Sequence, residues 1–282
     1  MRIPVGPYLV VFSILAVAAY GFWEGTPQDV VNAVRAGDVE RFRKAVRRDP
    51  AAVHTKVYPQ AHERSQARMD HRARTGESAW QGRYLIHDAV QRQIEPIPML
   101  DALAAAGADL KVRLDGQTLL HLAAVDDNAK VAGWLLDHGA DVNARNDCAA
   151  PCEQRGRTPL HEARFDDTLT LLLARGAAVD AQSADGRTAL HDSGVGRALV
   201  LCRHGADPSL ADAASKTPGQ QADGHLAATT GAGEELLQLQ QLARWLRPGS
   251  GCAIVSAQAR RTGQPVPDAE ARKVFAQTAL SN

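Results

Sequence analysis

Lysine, cysteine and aromatic side chains are scarce in this chain, and long-range charge of one sign is missing altogether. Only six of its 32 basic residues are lysines, and the 32 acidic residues bring the formal net charge to zero. No excess of positive charge is available to draw a nucleic acid. Four cysteines in 282 residues are too few to staple the chain as a disulfide scaffold. Aromatics reach only 5%, so the core has to come from Leu, Ala and Val. What is present is ordinary for a folded chain: 45% hydrophobic and 23% charged residues exclude general disorder. The dominance of Arg over Lys, together with abundant Ala, matches the bias of a GC-rich bacterial coding sequence.

Charge is also absent from Ile3 to Trp23, 21 residues that include the apolar run Tyr8 to Ala19. As a helix this stretch would span roughly 30 Å, the thickness of a hydrocarbon core. Arg2 precedes it and Glu24 and Asp29 follow, which keeps the positive end in the cytoplasm and sends the rest across. Two export readings compete. A cleavable signal peptide would use Ala16-Val17-Ala18 as its small-residue site. A retained anchor would set Tyr8 at one interface and Tyr20, Phe22 and Trp23 at the other, and these bulky residues after the candidate cut favour it. A buried core helix is the bland alternative, against which the segment's isolation at the terminus counts. Both export readings put the folded part outside the cytoplasm: periplasmic at the plasma membrane if anchored, soluble in the periplasm or secreted if cleaved.

Internal repetition is the strongest signal. Gly82-Arg83-Tyr84-Leu85-Ile86-His87, Gly116-Gln117-Thr118-Leu119-Leu120-His121, Gly156-Arg157-Thr158-Pro159-Leu160-His161 and Gly186-Arg187-Thr188-Ala189-Leu190-His191 align. Each leads to an apolar stretch ending in Gly-Ala, at 107, 139, 176 and 205. The set resembles the ankyrin repeat, whose pattern is G-x-T-P-L-H-x-A-A followed by L-L-x-x-G-A-D-V-N. Thr and Pro open a helix, because the hydroxyl caps orphan amides and proline suits the first helical position. Gly in Gly-Ala-Asp allows the positive φ at which the second helix stops. No repeat can bury both its faces alone, so stacking supplies the core. The resemblance implies an all-α ankyrin-repeat solenoid of helix-turn-helix units with β-hairpin loops, about six repeats including degenerate caps.

The spacing departs from the family. The repeated histidines stand 34, 40 and 30 residues apart, against about 33 for a standard unit. From His to the closing Gly the counts are 20, 18, 15 and 14. The turn between paired helices is therefore lengthened in the first of these units and trimmed in the last two, at Phe165-Asp166-Asp167 and Gly194-Val195-Gly196. The surplus of the third unit falls in the hairpin loop Arg145 to Arg155. Residues 1–25 form the anchor or signal, 26–247 the repeat domain with an insertion at 61–81, and 248–282 a tail with one short helix, Asp268 to Thr278. The first cap, opening at Thr26-Pro27, carries Arg41, Arg43, Arg47 and Arg48 on its outer face. The last unit begins at Lys216-Thr217-Pro218 with Gln220 in place of His. In the insertion Arg64, Arg68 and Arg72 would share one helix face, either solvated or set against an acidic partner or anionic lipid.

Chemistry is sparse. His87, His121, His161 and His191 recur once per unit, so a shared structural job outweighs a metal array; the resemblance implies hydrogen bonds to backbone between neighbouring hairpins. Cys148 and Cys152 sit inside the expanded loop, where a disulfide, two free thiols or a metal site are open readings. Cys202 reads as a small buried hydrophobe, and Trp134 as core or as a partner anchor. Gly231-Ala232-Gly233 lacks the preceding strand and the Lys of a phosphate loop, and no Gly-x-Ser-x-Gly or His-Glu-x-x-His occurs. No catalysis, metal, cofactor, nucleic acid or small-molecule substrate is expected.

The resemblance implies recognition of another protein through the hairpin tips and first helices. The tips are Lys111 to Asp115, Arg145 to Arg155, Gln182 to Asp185 and Leu210 to Ser215. The expected contact residues are Lys111, Arg113, Arg145, Asn146, Asp147, Glu153, Arg155, Gln182 and Ser183. The leading expectation is an exported or membrane-tethered adaptor for a protein in the cell envelope. The alternatives are a structural scaffold protecting a periplasmic enzyme and a toxin-neutralising, immunity-type protein.

Overall fold

The computed structural model describes residues 27–54, 56–57, 83–91, 95–149, 152–228, 234–247 and 249–280. The uncharged run 3–23 and the Arg-rich insertion 61–81 lie outside them. Among the described residues no helix is long and apolar enough to cross a membrane. The chain divides into two compact units, one ending at residue 109 and one running from residue 110.

In the first unit α1 (Pro27–Ala36) packs on α2 (Val39–Arg48). The two bury Val30, Val34 and Phe42, while Arg41, Arg43, Arg47 and Arg48 are exposed as expected. Asp38 caps α2 by accepting from the Arg41 amide at 2.9 Å, satisfying one of the donors that a helix start leaves orphaned. A 3-10 turn (Pro50–His54) leads to β1 (Lys56–Val57), which pairs antiparallel with β2 (Arg83–Tyr84). Then α3 (Leu85–Val90) and α4 (Pro96–Ala105) bury Leu85, Ile86, Met99, Leu100 and Leu103.

The second unit starts with a hairpin, β3 (Arg113–Leu114) against β4 (Gln117–Thr118). Its two connecting residues, Asp115 and Gly116, both have positive φ, 51° and 79°, the type I′ arrangement that matches strand twist. Helices α5 (Leu119–Val125) and α6 (Ala129–Asp137) form a full pair. In the next unit α7 (Pro159–Glu162) has only four residues before α8 (Asp166–Ala174). In the one after that, no α-helix precedes α9 (Val195–Arg203). The missing residues are thus taken from the first helix itself and not only from the turn. The last pair is α10 (Pro218–Ala228) with α11 (Glu234–Trp245). Leu120, Val131, Leu135, Leu160, Leu169, Leu172, Leu190 and Leu201 form the continuous core, each worth about 1.5–3 kcal/mol on full burial.

Beyond residue 248 the single expected helix proves to be two, α12 (Gly251–Thr262) and α13 (Asp268–Leu280). They fold back over α9, and α13 also packs on α11. Arg203 Nη1 meets Asp268 at 2.9 Å, Arg260 Nη1 meets Asp207 at 3.2 Å, and Trp245 stands edge-on to Phe275. Cys202 is buried, as expected, but it is not a lone hydrophobe. It is disulfide-bonded to Cys252, 50 residues away, with a Cα separation of 5.4 Å. The sequence hides this because α12 returns to α9 only through tertiary packing.

Candidate protein-interaction surface

The repeated Thr and His build the floor of the hairpin row. The amides of Thr118, Thr158 and Thr188 donate to Nδ1 of His121, His161 and His191 at 3.3, 3.1 and 3.0 Å. With Nδ1 accepting, Nε2 holds the proton. It donates to the carbonyl of Arg157, Arg187 and Lys216 respectively, at 3.0, 3.0 and 3.1 Å. These three histidines thereby tie their units to the next hairpin, the role the resemblance implied, and the Tyr84 amide donates to Nδ1 of His87 at 3.1 Å in the same local arrangement. Burial pushes His121 and His161 down to about 4 and lowers His191 as well, so all three are neutral at neutral pH.

Above this floor runs a second ladder made by side chains. Arg113 Nη1 donates to the Gly116 carbonyl at 2.7 Å and to the Arg145 carbonyl at 2.8 Å. Arg145 Nη1 repeats the motif one unit on, to Gly156 at 3.2 Å and Gln182 at 2.6 Å. Gln182 Nε2 repeats it again, to Gly186 at 3.0 Å and Ala211 at 3.4 Å. Three of the expected contact residues thus spend their donors on neighbouring hairpins and hold the row rigid.

Two others lie below the surface. Asn146 is 2% exposed. Its amide donates to the Arg157 carbonyl at 2.8 Å, its carbonyl accepts from Gly156 at 2.7 Å, and its Oδ1 accepts from the Cys148 amide at 3.0 Å. Ser183 is 6% exposed, and its hydroxyl bonds to the Arg187 carbonyl at 2.9 Å and to Asp185. Both residues close their hairpins and are withdrawn from any partner. Lys111, Asp147, Glu153 and Arg155 remain exposed, with Asp147 paired to Arg113 at 3.3 Å. Of the three readings open for Cys148 and Cys152, the disulfide is found, with Cα atoms 6.1 Å apart. Trp134 is buried in the array and stacks on His138, so it belongs to the core.

A charge cluster, half-buried at Arg157, Arg187 and Asp192 and buried at Glu162 and Arg197, went unforeseen. Arg157 reaches Glu162 at 3.7 Å and Asp192 at 2.9 Å, and Arg187 also binds Asp192. Arg197 is 8% exposed; Nη2 donates to the carbonyls of Leu160 at 2.8 Å and His161 at 3.0 Å. Burial lowers Arg197 to about 10, with Asp192 and Glu162 opposing the shift. Two signals in the sequence could have found this group. Arg follows Gly and an acid follows His in both units, and Arg197 stands eight residues before Gly205, where Val131 stands before Gly139. Among the described residues no three of His, Cys, Asp and Glu are grouped to hold a metal ion.

The ankyrin repeat family model matches residues 115–147 and 155–184, the units built on His121 and His161. Three curated proteins illustrate the likeness. The B-cell lymphoma 3 protein homolog of Mus musculus is 36% identical over 129 residues, 43% of this chain and 27% of that protein. Rabankyrin-5 of Homo sapiens is 41% identical over 83 residues, 27% of this chain and 7% of that protein. The NF-kappa-B inhibitor cactus of Drosophila yakuba is 41% identical over 63 residues, 22% of this chain and 12% of that protein. The chain thus spans about a quarter or less of these three relatives, each of them eukaryotic, and the likeness is one of repeats.

Proposed function

We propose that this chain, an ankyrin-repeat protein and hence a protein-interaction module, uses the outer end of its hairpin row to hold one protein partner in a bacterial cell envelope, without catalysis. The hairpin 145–155 carries the reading. It is longer than the hairpin tips 111–115, 182–185 and 210–215 beside it, is braced at its base by Arg145 and Asn146 and closed by Cys148–Cys152, and it presents Asp147, Glu153 and Arg155 outward. A pre-ordered loop loses less entropy on binding, and mixed charge at its rim suits specificity more than raw affinity. Insertions in solenoids fall on loops because stacked helices tolerate no extra residues.

The location rests on two supports. The uncharged run 3–23, with its flanking charges, would carry the domain across a membrane and retain it there. Two disulfides among the described residues suit an oxidising compartment. A reporter fused after Asn282 should be active outside the cytoplasm, and the protein should resist carbonate extraction; cytoplasmic activity would overturn the export reading, and extraction the anchor.

Affinity capture of tagged full-length chain from an envelope lysate, with mass spectrometry, tests the binding role. A single stoichiometric partner, lost with E153A/R155A, is the expected result. Retention of that partner by the double variant would move the contact away from this loop, and broad weak association would favour a scaffolding role.

A further inference from the structure

The two disulfides differ in a way that sets them apart chemically. Cys202 and Cys252 are both wholly buried, in the packing of α12 on α9. The loop pair is asymmetric: Cys148 is 5% exposed, whereas Cys152 is partly open to solvent. Disulfide exchange needs in-line approach of a thiolate to one sulfur, so access decides which bond reacts and at which end.

The surroundings of Cys148 are already fixed by hydrogen bonds that do not involve sulfur. Its amide donates to Asn146 Oδ1 at 3.0 Å, and the Asp147 amide donates to the Gly116 carbonyl at 3.2 Å. A Cβ on Gly116 would stand 2.2 Å from the Cys148 nitrogen, so the two hairpins meet closely there. The same Gly116 carbonyl receives the Arg113 guanidinium at 2.7 Å, and that guanidinium is also paired with Asp147 at 3.3 Å, which fixes the hairpin on the side of Cys148 away from Cys152. The hairpin base would also survive opening of the bridge, since Asn146 stays paired to Arg157 and Gly156 on both sides.

We infer that Cys148–Cys152 is a thiol–disulfide exchange site, attacked at Cys152 by a dithiol, while Cys202–Cys252 is structural. The thiolate of the dithiol attacks Cys152 Sγ and forms a mixed disulfide. The bond to Cys148 breaks, its electron pair leaves with Cys148 Sγ as thiolate, and that sulfur takes a proton from water. The second thiol of the reagent then displaces Cys152, so the dithiol is oxidised to a disulfide as the protein pair gains two electrons. No partner protein takes part, so the exchange can fail while the binding role stands, and the reverse.

Oxidised full-length chain is titrated with dithiothreitol, trapped with iodoacetamide and mapped by mass spectrometry. Cys148 and Cys152 should be alkylated at reagent concentrations at least tenfold below those that modify Cys202 and Cys252, with the thermal melt nearly unchanged at that stage. In single variants probed with an aryl disulfide, the Cys152 thiol of C148S should react at least tenfold faster than the Cys148 thiol of C152S. Joint reduction of both pairs would overturn the inference, as would prior reduction of Cys202–Cys252. Equal reactivity of the two single variants would overturn attack at Cys152.

Discussion

Arg197 reaches back one repeat to place its guanidinium 2.8 Å from the Leu160 carbonyl, at the end of a helix only four residues long. A helix leaves its last four carbonyls without intrahelical donors, and α7 has too few residues to hide them in a further turn. A full-length first helix such as α5 needs no such help, and there the position of Arg197 is filled by Val131. The charged side chain thus replaces backbone that the shortened unit has lost, and Asp192 and Glu162 balance it.

Arg197→Ala should therefore destabilise the protein by about 3 kcal/mol, because it strands the carbonyls of Leu160 and His161 that the guanidinium serves. Arg197→Val, which copies the residue of the longer unit, should cost nearly as much because α7 remains short. Urea denaturation of the two variants checks this. A loss below about 0.5 kcal/mol, the ordinary range for a surface substitution, would show the contact to be incidental.

Acid should weaken the fold between about pH 6.5 and 4. In the unfolded chain histidine binds its proton near 6.5, whereas burial holds His121 and His161 at about 4 in the folded state. In that window the unfolded chain carries more protons, so stability falls as pH falls, by about 2 kcal/mol per histidine at pH 5. Above pH 6.5 both states are neutral and the effect vanishes. Denaturation midpoints at pH 7, 6 and 5 should show the decline. They should decline less in His121→Gln, which cannot take up a proton.

Breaking the long-range disulfide should loosen the end of the chain. The bridge between Cys202 and Cys252 closes a loop of 50 residues, for which the chain-entropy model gives about 4 kcal/mol. In C202A/C252A, hydrogen exchange should quicken across α12 and α13 before it does in α5 and α6. Uniform exchange rates throughout the second unit would contradict the expected release of these two helices.

The side-chain ladder separates residues that hold the row from residues that face outward. Arg145→Ala removes bonds to two carbonyls and should lower stability by about 1–3 kcal/mol. Glu153→Ala and Arg155→Ala should stay within about 0.5 kcal/mol of the parent, yet together weaken the captured partner by at least tenfold, about 1.4 kcal/mol. Thermal melts and a binding titration measure the two effects. If Arg145→Ala left stability unchanged, the ladder would be no more than a surface arrangement.

The repeat architecture was legible in the chain because its determinants are local and recur. Thr at a cap, His three residues on and Gly at positive φ act within a single unit, so the same letters produce the same turn each time. The extra length at Arg145–Arg155 and the shortening at 165 and 194 could be counted directly. The hairpin disulfide was in view as one of three readings, since its cysteines stand four residues apart. The pairings that decide which side chains face a partner could not be seen, because they join one unit to the next. Arg113 and Arg145 look like surface cations until the neighbouring carbonyls are set within 3 Å of them. Asn146 and Ser183 look like loop polar groups until the hairpin closes over them. Cys202 meets Cys252, and Arg197 meets Leu160, only when helices far apart in sequence are stacked. Period and composition report what each unit prefers, and packing alone decides which donor meets which acceptor.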